Sequence, residues 1–259
     1  MTGDHLHPMM VDDEAMWADG RRWVEGAVEH TRAAARFSGV QPRERVLDIG
    51  CGIGGPARTL ATEFGADVYA ISDEKHMLDT ARRLNEENTR AREAIELAHH
   101  DCQLPYVESG FDLAWSMNMI YHVPDKRAML RCAYDALRPG GRLMVEDWML
   151  TPRATEQDVS ELEHHFKARH FARVDQLIAE ILATGYDLAA LEDLGHVGRT
   201  HMANYSTAQM REYFTPLLVA DHGEYGSSMA EDFIAGVSVA VRMYRDRRMT
   251  YLRQLATRD

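Results

Sequence analysis

Residues Val46–Gly55 read Val-Leu-Asp-Ile-Gly-Cys-Gly-Ile-Gly-Gly. A short apolar strand, Arg45-Val46-Leu47, runs into Asp48 and then into a loop with glycine at positions 50, 52, 54 and 55. Pro56 follows in the first turn of a predicted helix, where a missing N–H costs nothing because that donor has no intrahelical partner. Glycines at this spacing let the chain turn sharply and let a ligand lie directly against main-chain atoms. The pattern satisfies G-x-G-x-x-G, which alone suggests a dinucleotide site. Asp48 argues otherwise. A carboxylate two residues before the first glycine repels a pyrophosphate and suits a ligand carrying a cationic amine.

Downstream, strand and helix signals alternate. Val68–Ile71 reads as a second strand, followed by a helix through Met77, Ala81 and Leu84. Ile95–Ala98 reads as a third strand that ends in His99-His100-Asp101-Cys102, and Phe111–Ser116 as a fourth. Leu137-Arg138-Pro139-Gly140-Gly141 turns into a fifth through Val145. This alternation predicts βαβ units and a parallel sheet. The blocks, in this order and spacing, resemble the class I S-adenosylmethionine (SAM)-dependent methyltransferases from Arg45 to Leu150, in the small-molecule branch that includes natural-product and sugar O- or C-methyltransferases.

The resemblance implies an α/β fold, a doubly wound seven-stranded Rossmann-like methyltransferase sheet, with SAM as cofactor and a small-molecule substrate. It also implies a division of the chain into an N-terminal helical cap (1–40), a SAM-binding core (41–150), a helical lid inserted after strand five (151–186) and a C-terminal completion of the sheet (187–259). Periodicity fits that plan. From Asp12 or Asp13, apolar residues recur at Trp17, Val24, Ala27, Val28, Ala34 and Ala35, close to helical spacing, ending near Gly39. Thr155–Thr184 is highly charged, with Val159, Leu162, Phe166, Val174, Leu177, Ile181 and Leu182 on one helical stripe. A strand is predicted at Leu188–Leu194, a helix opening at Ser206 with a capping-box Gln209, a helix at Ala230–Arg245 and a last strand at Thr250–Leu255. Thr155–Thr184 and Asn204–Gly226 are read as the lid.

The same resemblance assigns cofactor contacts. Asp48 is placed for the SAM amino group, directly or through water, with Gly50, Cys51 and Gly52 giving close backbone approach. Relatives often carry an acid at the end of strand two for the ribose hydroxyls; here that position is Ser72, which bonds a ribose less strongly than a charged acceptor does. Asp73 is one residue out of register and belongs on the opposite face unless the strand has ended. Met77 packs against the adenosine or into the core. Asp101, with Cys102 beside it, stands where the family's acid accepts from the adenine amino group. Met117 and Asn118 edge the methionine moiety.

Methyl transfer requires a positioned nucleophile and, for a hydroxyl or carbon acid, removal of its proton. His122, in Ile120-Tyr121-His122-Val123-Pro124-Asp125, and Asp147, in Val145-Glu146-Asp147-Trp148, are the expected catalytic pair at the ends of strands four and five. An imidazole that titrates near neutrality suits a general base; the alternative for His122 is to cap its loop. Tyr121 and Trp148 are the aromatic residues best placed for substrate. Histidine is frequent, 13 in 259 residues. His164, His165 and His170 share one predicted helix with Glu161 and Glu163, but adjacent histidines diverge by about 100° and no His-x-x-x-His pair occurs. No metal is therefore assigned, although His5, His7, His196, His201 and His222 come from distant segments.

Composition excludes other classes. A formal charge of −12 without a dense Lys/Arg stripe disfavours nucleic acid. No apolar run approaches the roughly twenty residues of a membrane span, and there is no leading basic-plus-apolar segment. Three cysteines, Cys51, Cys102 and Cys132, imply no disulfide framework. A cytoplasmic enzyme is expected, with homo-oligomerisation left open. Three other readings stand beside it: methylation of a small amine, a cyclase or binding module that retains the SAM fold, and a nicotinamide-dependent oxidoreductase.

Overall fold

The computed structural model describes residues 21–166, 169–196, 208, 211–212, 215–216, 219 and 223–259. Helix α1 (Arg21–Ser38) precedes the first βαβ unit, formed by β1 (Arg45–Ile49), α2 (Gly55–Glu63) and β2 (Asp67–Ser72). Next come α3 (Lys75–Asn85), α4 (Thr89–Ala94), β3 (Ile95–His99) and β4 (Phe111–Met117). A 3-10 turn at Ile120–His122 leads to α5 (Lys126–Ala136) and the long β5 (Leu137–Leu150). The remainder is α6 (Glu156–Phe166), β6 (Ala172–Arg173), α7 (Val174–Thr184), β7 (Tyr186–Asp193), α8 (Glu224–Arg245) and β8 (Met249–Arg258).

The sheet runs β3-β2-β1-β4-β5-β8-β7, with the two-residue β6 paired to β5 off that path. Strands β1 to β5 are mutually parallel, and β8 is antiparallel to both β5 and β7. The seven strands of the main path agree with the expected doubly wound sheet. Strand order reverses between β1 and β4, and a crevice outside the carboxyl ends of such strands is where ligands bind in open α/β sheets.

Both faces of the sheet are covered because its strands alternate two apolar sets. Leu47, Ile49, Ile71, Ala114 and Val145 meet α5 and α7 through Leu130, Ala133, Leu177 and Ile181. Val46, Val68, Ala70, Leu113 and Trp115 meet α1 and α2 through Ala34, Ala35, Ala57 and Leu60. A third cluster joins α6 to α8, with Leu162 against Ile234, Val237, Ala240 and Tyr244, and reaches back to Tyr121, Leu150 and Tyr251.

Local signals set the helix ends. Thr155 and Asp158 cap α6 reciprocally: Thr155 N and Oγ1 donate to Asp158 Oδ2 at 2.8 and 2.6 Å, and Asp158 N donates back to Thr155 Oγ1 at 3.2 Å. Asp125 caps α5 by accepting from Ala128 N at 2.9 Å.

Several expectations change. The stretch Thr155–Thr184 is two helices with different jobs. Helix α6 packs on α8, whereas α7 packs on α5 and β7 and contributes Leu177 and Ile181 to the sheet's own core. The stretch 151–186, expected as one lid insertion, is therefore not a single packing unit, and Leu182, expected on the helical stripe, is exposed. The N-terminal helix before Arg21, the Ser206 capping box, and His5, His7, His201 and His222 lie outside the described residues, as does most of Asn204–Gly226.

At the rim of the sheet, Arg253 of β8 is buried and donates through Nε to buried Glu146 of β5 at 2.5 Å and through Nη1 to Glu192 of β7 at 2.7 Å. Removing one partner of such a buried pair leaves an uncompensated charge. Arg253→Met is expected to lower unfolding stability by about 3–5 kcal/mol, read by urea denaturation. The double substitution with Glu146→Gln should recover much of that loss.

Candidate active site

The crevice between β1 and β4 is where the glycine loop sits. After Asp48 and Ile49, the amides of Gly50 and Cys51 both donate to Ile71 O, at 3.0 and 2.9 Å, which pins the loop to the end of β2. Gly50 has φ +75°, and a Cβ there would lie 2.3 Å from Met119 Cγ, so the loop after β4 rests directly on its main chain. Gly52 has φ +53° and a Cβ would meet only Met77 Sδ, at 3.8 Å. This leaves a cradle of backbone flanked by two thioether side chains, Met119 on Gly50 and Met77 beside Gly52.

Asp48 faces that cradle from within. It is buried, and its Oδ2 has no hydrogen-bond partner among the described residues. Burial alone pushes its carboxyl up to about 7. An uncompensated buried carboxylate beside an open stretch of glycine backbone is the arrangement that a ligand's ammonium would complete. Burial, reinforced by the charge of Asp48, also raises the Cys51 thiol, so Cys51 is a packing residue of the loop.

Ser72 is the last residue of β2 and is buried; its Oγ accepts from Glu74 N at 3.1 Å, leaving its own proton to donate. Strand β2 has ended by Asp73, which is exposed, and Asp73 O contacts His99 Nε2 at 2.9 Å. Met77 is buried with Ile53 and Leu84, so core packing accounts for it. Asp101 turns its loop by accepting from Gln103 N and Nε2 on Oδ1, at 2.9 and 3.1 Å, and Gln103 Oε1 in turn accepts from Asp125 N. Cys102 is buried in the core, its thiol pushed up to about 12 by burial and the neighbouring Asp101. Met117 is half buried beside Thr31 Oγ1, and Asn118, at φ +53°, accepts from Tyr251 Oη at 3.0 Å.

Asp147 departs from expectation. It is fully buried, and both oxygens are occupied by backbone: Oδ2 accepts from Met119 N and Ile120 N at 2.9 and 2.7 Å, and Oδ1 from Trp148 N at 2.6 Å. Burial raises its carboxyl to about 7 against the pull of those three amides. A carboxylate so engaged positions the loop between β4 and α5; it is no substrate-facing base. His122 is half buried in that loop. Burial, with some repulsion from His170, lowers its imidazole to about 4. Beside it Tyr121 stacks on Phe171 and Trp148, with ring centroids 5.5 and 6.3 Å away.

Sequence reasoning missed Met119, the residue that seats the β4 loop on Gly50, and the Glu146–Arg253 pair. An arginine amid Leu252, Gln254 and Leu255 of a predicted strand was the available signal for the latter. A groove lined by Asp125, Arg127, Arg131 and Thr184 lies between α5 and α7 and contains no residue of the glycine loop.

Comparison with known proteins agrees with this geometry. A methyltransferase-domain family model matches residues 47–145. The chain is 34% identical over 166 residues to methyltransferase GfsG of Streptomyces halstedii, covering 62% of this chain and 59% of that one. Over 206 residues it is 30% identical to 27-O-demethylrifamycin SV methyltransferase of Amycolatopsis mediterranei, covering 77% and 72%. The chain belongs to the SAM-dependent methyltransferases. The structure of the cyclopropane synthase MmaA2 from Mycobacterium tuberculosis shares the methyltransferase's fold, with a TM-score of 0.76, 15% identity and coverage of 89% and 84%. SAM is therefore the cofactor. No described helix of the methyltransferase is long and apolar enough to cross a membrane.

An ammonium bound beside Asp48 would make cofactor binding pH-dependent. The Asp48 carboxyl titrates near 7 in the free protein, and a neighbouring ammonium lowers that value, so binding near pH 7 releases a proton. Affinity for S-adenosylhomocysteine should hold above pH 7 and weaken as pH falls below it. Calorimetry in buffers of different ionisation enthalpy reads the released proton directly. Asp48→Asn should abolish the release and weaken binding; an unchanged proton count would mean that Asp48 does not meet the amine.

Proposed function

We propose that this methyltransferase moves a methyl group from SAM to an oxygen or carbon of a small organic acceptor of the natural-product class, with His122 taking the acceptor's proton. The observation that carries this reading is the position of His122 in the turn after β4, with its ring against Tyr121 of the Phe171–Tyr121–Trp148 stack. With its titration lowered to about 4 by burial, the ring has a free lone pair throughout the neutral range. A neutral, half-buried imidazole in the turn that follows β4 supports that role.

Bound SAM supplies a methyl group on a sulfonium, a good leaving group. The chain's own contribution is placement. Asp147 holds the loop from Met119 to Ile120, Lys126 Nζ ties Val123 O to His170 O at 2.9 and 2.7 Å, and the Tyr121–Phe171–Trp148 stack offers an apolar wall. Such placement replaces a bimolecular encounter by an oriented one. The rifamycin enzyme's name describes transfer to an oxygen of a natural product, which supports the acceptor class and leaves its structure open.

The test needs an acceptor found by screening hydroxylated and amine compounds. With a hydroxyl acceptor and saturating SAM, His122→Ala should lower kcat by about 10²–10⁴, the usual cost of removing a general base. Protonation of His122 blocks its role, so its contribution to kcat is lost as pH falls toward 4, while protonation of Asp147, which titrates near 7, loosens the loop and lowers kcat below that pH. Asp147→Asn should lower kcat, raise KM and remove the break near 7 while leaving the loss toward pH 4, since it displaces the loop without removing the base. Full activity in His122→Ala would sink this assignment.

A further inference from the structure

The cap helices α6 and α8 are joined by a ladder of charged contacts. Arg248, just beyond α8, donates through Nη1 to both oxygens of Asp158 at 2.9 and 3.0 Å, and Arg242 donates to Glu161. The next rung reverses the pattern. Its acid, Asp232, is on α8, and α6 presents two imidazoles, His164 and His165, where the other rungs use an arginine. One nitrogen of each ring and one oxygen of Asp232 all lie within 4.8 Å of one another. His165 Nδ1 is 3.6 Å from Asp232 Oδ1, is shielded from solvent and makes no hydrogen bond among the described residues. Adjacent side chains on a helix normally diverge, yet these two rings meet edge to face with centroids 4.9 Å apart.

We infer that His164, His165 and Asp232 form a site for a divalent transition-metal ion of the zinc class, which fastens α6 to α8. Imidazole nitrogen and carboxylate oxygen are ordinary zinc ligands, and bonds of about 2.0–2.2 Å set tetrahedral ligand atoms about 3.4 Å apart. The His165–Asp232 edge, at 3.6 Å, already has that length. The longer edges close by rotation of side chains, one exposed and two half buried. Three protein ligands leave a coordination position for water. The spacing argument against a metal considered α6 alone, and the third ligand comes from α8, far along the chain.

The site is separate from the cofactor cradle. Its effect would reach the acceptor side, because Leu162 of α6 and Ile234 of α8 share a core with Tyr121, against which Trp148 and Phe171 also pack. An ion joining the helices would stiffen that wall.

The test uses untagged full-length protein, stripped with a chelator and titrated with Co2+ and then Zn2+. One Co2+ per chain should bind with enhanced visible d–d absorption and be displaced by Zn2+, and Zn2+ should raise Tm. His165→Ala and Asp232→Asn should each weaken binding by at least the 10–100-fold or so that loss of even an outer partner costs, and should remove the Zn2+-dependent rise in Tm. Unchanged S-adenosylhomocysteine binding would establish that each variant folds, and His164→Ala replaces either variant that does not. No Co2+ spectrum in the unmodified chain, or wild-type affinity in a folded variant, overturns the assignment.

Discussion

A carboxylate that solvent does not reach organises the crevice. Asp147 gathers the amides of Met119 and Ile120 on one oxygen and that of Trp148 on the other. Hydrogen bonds to an ionised acceptor are roughly twice as strong as neutral ones, so this knot holds a turn that has no strand partner of its own. Everything on the acceptor side follows from it. Met119 is set against the main chain of Gly50, and the 3-10 turn that follows aims Tyr121 into the stack with Phe171 and leaves His122 at its edge. Misplacing reacting groups by about 1 Å can cost on the order of 10²-fold in rate, which gives a buried acid with no substrate contact a large influence over catalysis.

Three buried carboxylates stand near the carboxyl ends of β1 and β5, and their compensation differs. Asp147 is answered by backbone amides, Glu146 by the guanidinium of Arg253, and Asp48 by nothing the described chain supplies to its Oδ2. In a chain of net charge −12, leaving an acid uncompensated works against folding. The same deficit favours a cationic ligand, because the site is already desolvated and its dipoles need no rearrangement. The contrast with Glu146 is informative. There the same burial is met by an internal arginine, and the group becomes part of the frame instead of part of the binding site.

Most of the sheet was legible in the sequence because its signals are local. Alternating apolar residues, a glycine loop and Pro56 each announce an element within a few residues, and β2 to β4 fall within one residue of their expected bounds, β1 within two. What was hidden depends on long-range partners. The Asp-Trp dipeptide at 147–148 looks like a substrate-facing acid until amides 27 and 28 residues earlier are seen to converge on it. Glu146 and Arg253 are 107 residues apart, and nothing near Glu146 foretells that a strand buried on both faces must accommodate it. Likewise, the spacing of His164 and His165 describes one helix and is silent about Asp232.

The lid was misjudged for a related reason. A charged stretch with one apolar stripe is the same pattern whether the stripe meets a sheet or another helix. The boundary is set by β6, two residues that pair with the end of β5, Met149 with Ala172 and Leu150 with Arg173. Arg173 reinforces it by donating to the carbonyls of Thr151 and Ala154. Before β6 the chain belongs to the cap, and after it α7 is the crossover helix of the sheet. Phe171, which stacks on Tyr121, immediately precedes β6. The aromatic wall is thereby anchored on the side of the sheet, while Leu162 of α6 and Ile234 of α8 share a core with the same Tyr121 from the other side.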